Sequence, residues 1–181
     1  MSTPEVKRKL TAILSADVKG YSRLMGEDEK GTVRTLNAYR EVMANLIQQH
    51  HGRVVDAPGD NLLAEFASVV DAVESAVEIQ KELRTRNVEL PENRKMEFPI
   101  GVNLGDVIEE ESRIYGDGVN IAARLESLSE AGGICISGKT YDEILRINPN
   151  FSLDALEKSL PFKDQSMIDS YIGALRKAGL K

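Results

Sequence analysis

Several polar residues are placed so that they could do chemistry together. Asp17 closes the apolar run at residues 10–18, LTAILSADV. Asp60 sits in the Pro58-Gly59-Asp60 turn of VVDAPGDNLLAEF, residues 54–66, and Asp56 stands four positions before it. Either Asp17 or Asp60 alone reads as a cap or a solvated turn, since Asp is a common turn residue. Two acids at the ends of sheet strands can instead converge on a hard divalent cation, and magnesium takes one or two carboxylates together with substrate phosphate oxygens. The VKGYS segment after Asp17 could add backbone N–H groups that cradle phosphate. In YGDGVNIAARLES, residues 115–127, Asn120 and Arg124 are i and i+4 and so share a helix face. A surface polar pair would account for them. An Asn that fixes a sugar and an Arg that stabilises an oxyanion would suit phosphoryl chemistry.

These residues need elements to position them. Residues 10–18 suit a buried strand. From about residue 27 to 51, Val33, Leu36, Met43, Leu46 and Ile47 recur at helical spacing, and Gly52 is expected to stop the helix. The hairpin bearing Asp56 and Asp60 follows. Ser68 is placed as the N-cap of a second helix with Val69, Val73, Ala76, Val77 and Leu83 on one face. VELPENRK is a polar loop. MEFPIGVNLGDVIEEE reads as a strand pair interrupted at Pro99 and Gly105. DGVNIAARLESL is a short helix, GGICIS a strand, KTYDEILRI another helix, and residues 151–175 a final hairpin. This order predicts an α+β fold in which helices cover a mainly antiparallel sheet.

At 181 residues and 20.0 kDa the chain is long enough for one domain, expected to span 1–181, with a sizeable core. The net charge of -6 argues against a surface that coats nucleic acid. Cys135, the single cysteine, lies in the apolar run GGICISG and is expected to be a buried, inert thiol, which suits a reducing compartment. MSTPEVKRKL lacks the apolar stretch of a signal peptide, and no run approaches the ~18 apolar residues that span a bilayer. A soluble, cytoplasmic domain without a membrane segment is expected. His50 and His51 close a helix, where partial positive charge suits the C-terminal dipole. EEES at 109–112 reads as a solvated turn.

AILSADVKGYSRLM, PGDNLLAEF, IGVNLGDV, IYGDGVNIAARLES and GGICISG occur in the order found in class III nucleotidyl cyclase catalytic domains. The chain resembles that family from about Lys9 to Tyr171. The resemblance implies a ferredoxin-like palm, a βαββαβ core with extra strands and helices. It also implies a homodimer paired head to tail, with active sites at the interface. By the same resemblance Asp17 and Asp60 are the ligands of two Mg2+ (or Mn2+) ions, and Val18 offers a backbone carbonyl to the second. Gly20, Tyr21 and Ser22 form the phosphate loop. Asn120 orients the ribose, Arg124 stabilises the transition state, and Lys163 binds the triphosphate. The glycine that usually follows this lysine is Asp164 here. Asp56 stands where a lysine usually reads the adenine edge, and Arg113 where an aspartate or threonine is usual, so acid and base are exchanged. The implied activity is an adenylyl cyclase acting on ATP, most relatives outside animals making cyclic AMP. A guanylyl cyclase with the same machinery, or a silent nucleotide-binding or dimerisation domain, are the alternatives.

Overall fold

A computed structural model describes residues 6–151. The first strand, β1 (Lys7–Ala16), is fully buried over its second half. Two helices follow, α1 (Tyr21–Glu27) and α2 (Glu29–Gln49), then β2 (Arg53–Asp56), β3 (Leu62–Phe66) and α3 (Val69–Asn87). A single 3-10 turn, Glu92–Arg94, leads to the long β4 (Ile100–Glu110), and β5 (Arg113–Tyr115), α4 (Asp117–Leu128), β6 (Ile134–Ile136) and α5 (Gly138–Ile147) complete the described chain.

The sheet runs β2-β3-β1-β4-β5, with β6 also pairing β4. The β4-β1-β3-β2 order, with β1 antiparallel to both neighbours, is the ferredoxin-like arrangement the sequence implies. The β4–β6 pair alone is parallel among the described strands. Alternation along β1 divides the core. Ala12, Leu14 and Ala16 face the larger cluster, with Leu36, Met43 and Ile47 of α2 and Val69, Ala76 and Leu83 of α3. Ile13 faces the other way, with Leu63, Val107, Ile114 and Ala122 of α4. Helices therefore cover both faces of a mainly antiparallel sheet.

Local chemistry explains most boundaries. Ser68 caps α3 by accepting from the Val70 N–H at 3.2 Å. Asp28 caps α2 through the Gly31 N–H at 2.9 Å and separates it from α1, which the apolar spacing did not reveal. Val33 is exposed, and Tyr39 takes the core position between Leu36 and Met43. The left-handed residue that ends α2 is His51, at φ 60, not Gly52. Gly52 is needed for another reason: a Cβ there would lie 2.3 Å from the Phe66 ring. Gly105 likewise does not break its strand. It lets α4 approach, since a Cβ on it would lie 2.9 Å from Gly118 Cα, and one on Gly101 would lie 2.2 Å from the Ala122 carbonyl. The expected strand pair is instead β4 and β5, joined through the exposed Glu111-Ser112 turn. Cys135 is half-buried, and burial pushes its thiol pKa up, which keeps it inert. Lys163 and the expected final hairpin lie outside the described residues.

Candidate active site

Antiparallel pairing brings the first two acids together. Ala16 of β1 stands opposite Leu62 of β3, so Asp17 leaves the sheet beside the turn that holds Asp60. Gly59 takes φ 56 in that turn, and the Asn61 N–H closes it on the Pro58 carbonyl at 3.0 Å. Arg40, projecting from α2, pins the turn from outside. Its Nη2 donates to the carbonyls of Ala57, Gly59 and Asn61 at 3.2, 2.5 and 2.7 Å. A lone arginine on a helix carries no sequence signal for this role.

Asp17 is half-buried and hydrogen-bonded to Asp60. Burial, that hydrogen bond and the charges of Asp60 and Glu126 push its pKa up to about 7, against the Val18 N–H, which donates to Asp17 Oδ1 at 3.1 Å. Glu126 is a third acid that sequence reasoning missed. It is buried on the inner face of α4, where the Ser15 hydroxyl donates to Oε2 at 2.9 Å. Burial raises its pKa, the Ser15 hydrogen bond opposes this, and the charge of Asp60 raises it further. Two residues after Arg124, a glutamate reads as solvated; only the close docking of α4 at Gly101 buries it. Asp17 and Asp60 offer only carboxylate oxygens, and the charge that lifts the Asp17 pKa is one that a divalent cation would balance, so these residues fit a magnesium or manganese site.

Beside this pair, Val18 is buried and Gly20, at φ 69, starts α1. The amides of Tyr21 and Ser22 belong to the first turn of α1, where helix geometry leaves N–H groups without intrahelical partners. Asp17, Val18, Asp60 and the Gly20-Tyr21-Ser22 loop thus stand at one end of the sheet.

Asn120 and Arg124 do not join them within the chain. Gly118, Ala122 and Glu126 are the buried line of α4, and Asn120 and Arg124 lie on the opposite, exposed face. Asp56 ends β2 after a bulge and accepts from the Ala57 N–H at 2.9 Å. Arg113 is exposed at the start of β5, and no ion pair joins it to Asp56 among the described residues. A recess of about 470 Å³ beside the first turn of α4, lined by Asp106, Asp117 and Lys139 among others, contains none of the expected residues.

Comparison with known proteins agrees with this arrangement. The model of the adenylate and guanylate cyclase catalytic domain matches residues 5–171. A Rhizobium meliloti protein named "Putative adenylate cyclase 3" is 46% identical over 145 residues, which is 80% of this chain and 25% of that relative. The chain thus spans about a quarter of that relative's length. Among solved structures, an adenylate/guanylate cyclase/hydrolase from Silicibacter pomeroyi superposes with a TM-score of 0.72 at 39% identity, covering 79% of this chain and 83% of that one. The guanylyl cyclase Cya2 superposes with a TM-score of 0.67 at 30% identity, covering 76% and 79%.

Proposed function

The chain belongs to the adenylate and guanylate cyclase catalytic domain family, and we propose that it converts ATP to 3′,5′-cyclic AMP and pyrophosphate as a homodimer with active sites at the interface. The observation that carries this reading is the separation of two half-sites. Asp17 and Asp60 meet at one sheet end, while Asn120 and Arg124 face outward on α4. A second copy, related by a two-fold axis, would bring the outward pair of each chain to the acids of the other.

In this reading Asp17, Asp60 and the Val18 carbonyl hold two Mg2+ or Mn2+ ions. Held there, such ions would supply the charge that lowers the pKa of the ribose 3′-hydroxyl and balances the triphosphate. The chain's own groups do the rest. The amides of Gly20, Tyr21 and Ser22 hold phosphate oxygens, and Lys163 pairs with the triphosphate. Asn120 of the second copy orients the ribose so that its 3′-oxygen lies in line with the α-phosphate. Arg124 places positive charge where negative charge builds on that phosphate. The bond from the 3′-oxygen to phosphorus forms as the bond to the bridging oxygen breaks. Pyrophosphate leaves with the electron pair, and the hydroxyl proton passes to solvent. Asp56 and Arg113 supply one acceptor and one donor to the base edge.

ATP is favoured by the relative at 46% identity, which is named an adenylate cyclase. A guanylyl cyclase is the second reading, supported by the likeness to Cya2. Product formation from ATP and from GTP, each with Mg2+ and with Mn2+, separates the two. Cyclic AMP is the expected main product, and no cyclic nucleotide from either substrate would overturn the proposal. Asp56→Ala and Arg113→Ala should each lower kcat/KM for ATP and narrow the ATP-to-GTP ratio about tenfold, the worth of one hydrogen bond to a charged group. A ratio unchanged in both would remove them as base readers.

A further inference from the structure

Away from the sheet end that carries Asp17 and Asp60, α2 and α3 lie side by side and bring imidazoles to carboxylates. His50 caps α2, and Asp71, Glu74 and Glu78 recur at i, i+3 and i+7 along α3. The ligand atoms of His50, Asp71 and Glu74 all lie within 4.8 Å of one another. We propose that these three residues form a second metal site, for a transition-series divalent cation such as Zn2+, which clips the end of α2 to α3.

The orientation of His50 carries the inference. Its Nε2 stands 3.1 Å from Glu78 Oε2, while its Nδ1 faces Glu74 Oε2 at 3.8 Å. A carboxylate thus stands beside each ring nitrogen, and Nδ1 is the one that faces the Glu74 member of the cluster. With Nδ1 unprotonated, imidazole and carboxylate are two acceptors that a cation between them would satisfy. The 3.8 Å gap is too long for a hydrogen bond. Two ligands bound tetrahedrally at 2.0–2.1 Å stand about 3.4 Å apart, so a shift of a few tenths of an ångström in Glu74 closes the site. The Glu74 side chain is 60% exposed and free to make that shift. A carboxylate at the distal nitrogen of a ligating histidine is the usual outer shell of such a site, and Glu78 stands at that position, 3.1 Å from Nε2. His51 Nδ1, 3.6 Å from Asp71 Oδ2, brings a second imidazole within reach.

Chemistry separates this cluster from the acids at the sheet end. Asp17 and Asp60 offer only oxygen, which suits magnesium or manganese; imidazole with carboxylate selects zinc, cobalt, nickel or copper over magnesium. With neutral imidazoles the three carboxylates leave the cluster strongly negative. The ordinary competitor is a doubly protonated His50 paired with Glu74 and Glu78 and holding no metal.

Metal-stripped protein titrated with Zn2+ and with Co2+ distinguishes the two. Wild type should bind Co2+ with the visible absorption of an imidazole-bearing, low-coordinate site. That spectrum should persist in Asp17→Asn/Asp60→Asn and in excess Mg2+. His50→Gln and Glu74→Gln should lose it and bind Zn2+ at least tenfold more weakly, and Glu78→Gln about tenfold more weakly. Thermal melts without metal check the fold of each variant, and Glu74→Gln, at an exposed position, decides if His50→Gln fails to fold. Wild-type affinity and spectrum retained in Glu74→Gln, or no such spectrum in wild type, would overturn the proposal. Either result leaves the cyclase reading untouched, since the two donor sets share no residue.

Discussion

One face of the sheet carries acids at both ends, and the two ends are neutralised differently. Near the start of β1, Lys9 lies 2.9 Å from Glu65 and 3.1 Å from Glu109. Arg53 joins the same two acids from β2, with Nε 2.6 Å from Glu65, Nη2 2.7 Å from Glu109 and Nη1 donating to the Ser112 carbonyl at 2.9 Å. Lys9, foremost among these cations, holds the Glu109 carboxyl below its usual range. Eight residues along β1, roughly 26 Å away at strand rise, Asp17, Asp60 and Glu126 crowd together, and Asp17 is driven up to about 7. The first cluster is complete within the chain. The second is a charge imbalance that folding retains, and in the proposed reading a bound cation balances it.

The largest effects should come from breaking the unbalanced end. Asp17→Ala and Asp60→Ala should each reduce turnover below a tenth of wild type, measured as cyclic nucleotide formed. Neither should lower the melting temperature of the metal-free protein, because one carboxylate fewer relieves repulsion. Activity above a tenth in either variant would remove that carboxylate from the proposed metal site. Arg40→Ala acts on the same end at one remove. It frees the Asp60 turn from three carbonyl contacts and should raise the metal concentration for half-maximal activity about tenfold, with a smaller change in kcat at saturating metal. An unchanged metal requirement would make Arg40 merely structural.

The two ends should also differ in how they tie stability to pH. Asp17 has a folded pKa raised above its unfolded value of 3.8. The folded protein therefore binds the extra proton, and the associated stability is full below about pH 4 and lost as pH rises through about 7. Metal-free protein should melt at lower temperature at pH 7.5 than at pH 5, and Asp17→Asn should flatten that slope. The smallest effect belongs to the balanced end. Arg53→Met leaves Glu65, which is 6% exposed, with Lys9 alone. It should cost about 2 kcal/mol of stability while turnover per folded molecule stays at the wild-type level.

Pattern made the frame legible. The apolar run at residues 10–18, helical spacing after residue 27 and the Ser68 cap all correspond to elements of the structure. Of the short elements, β6 was legible from its apolar run, whereas the seven residues of α1 and three of β5 are too few to show a period. Gly52 and Gly105 were legible as glycines but not for their purpose, which lies in contacts with Phe66 and Gly118 across the fold. The same holds at the site. Asp17 and Asp60 stand at strand ends where their type is conspicuous, whereas Glu126 and Arg40 act only through tertiary packing. His50 and His51 read as helix-end residues, since the carboxylates facing them come from another helix.

In the proposed enzyme the half-site of Asp17 and Asp60 and the outward-facing half-site of Asn120 and Arg124 work only between two chains. Mixing inactive Asp17→Ala with inactive Arg124→Ala tests this most directly. Equal mixing makes half the dimers hybrid, and one of the two sites in each hybrid carries no mutation, so about a quarter of wild-type activity should return. Silence from the mixture, with hybrid dimers shown to form, would contradict the account.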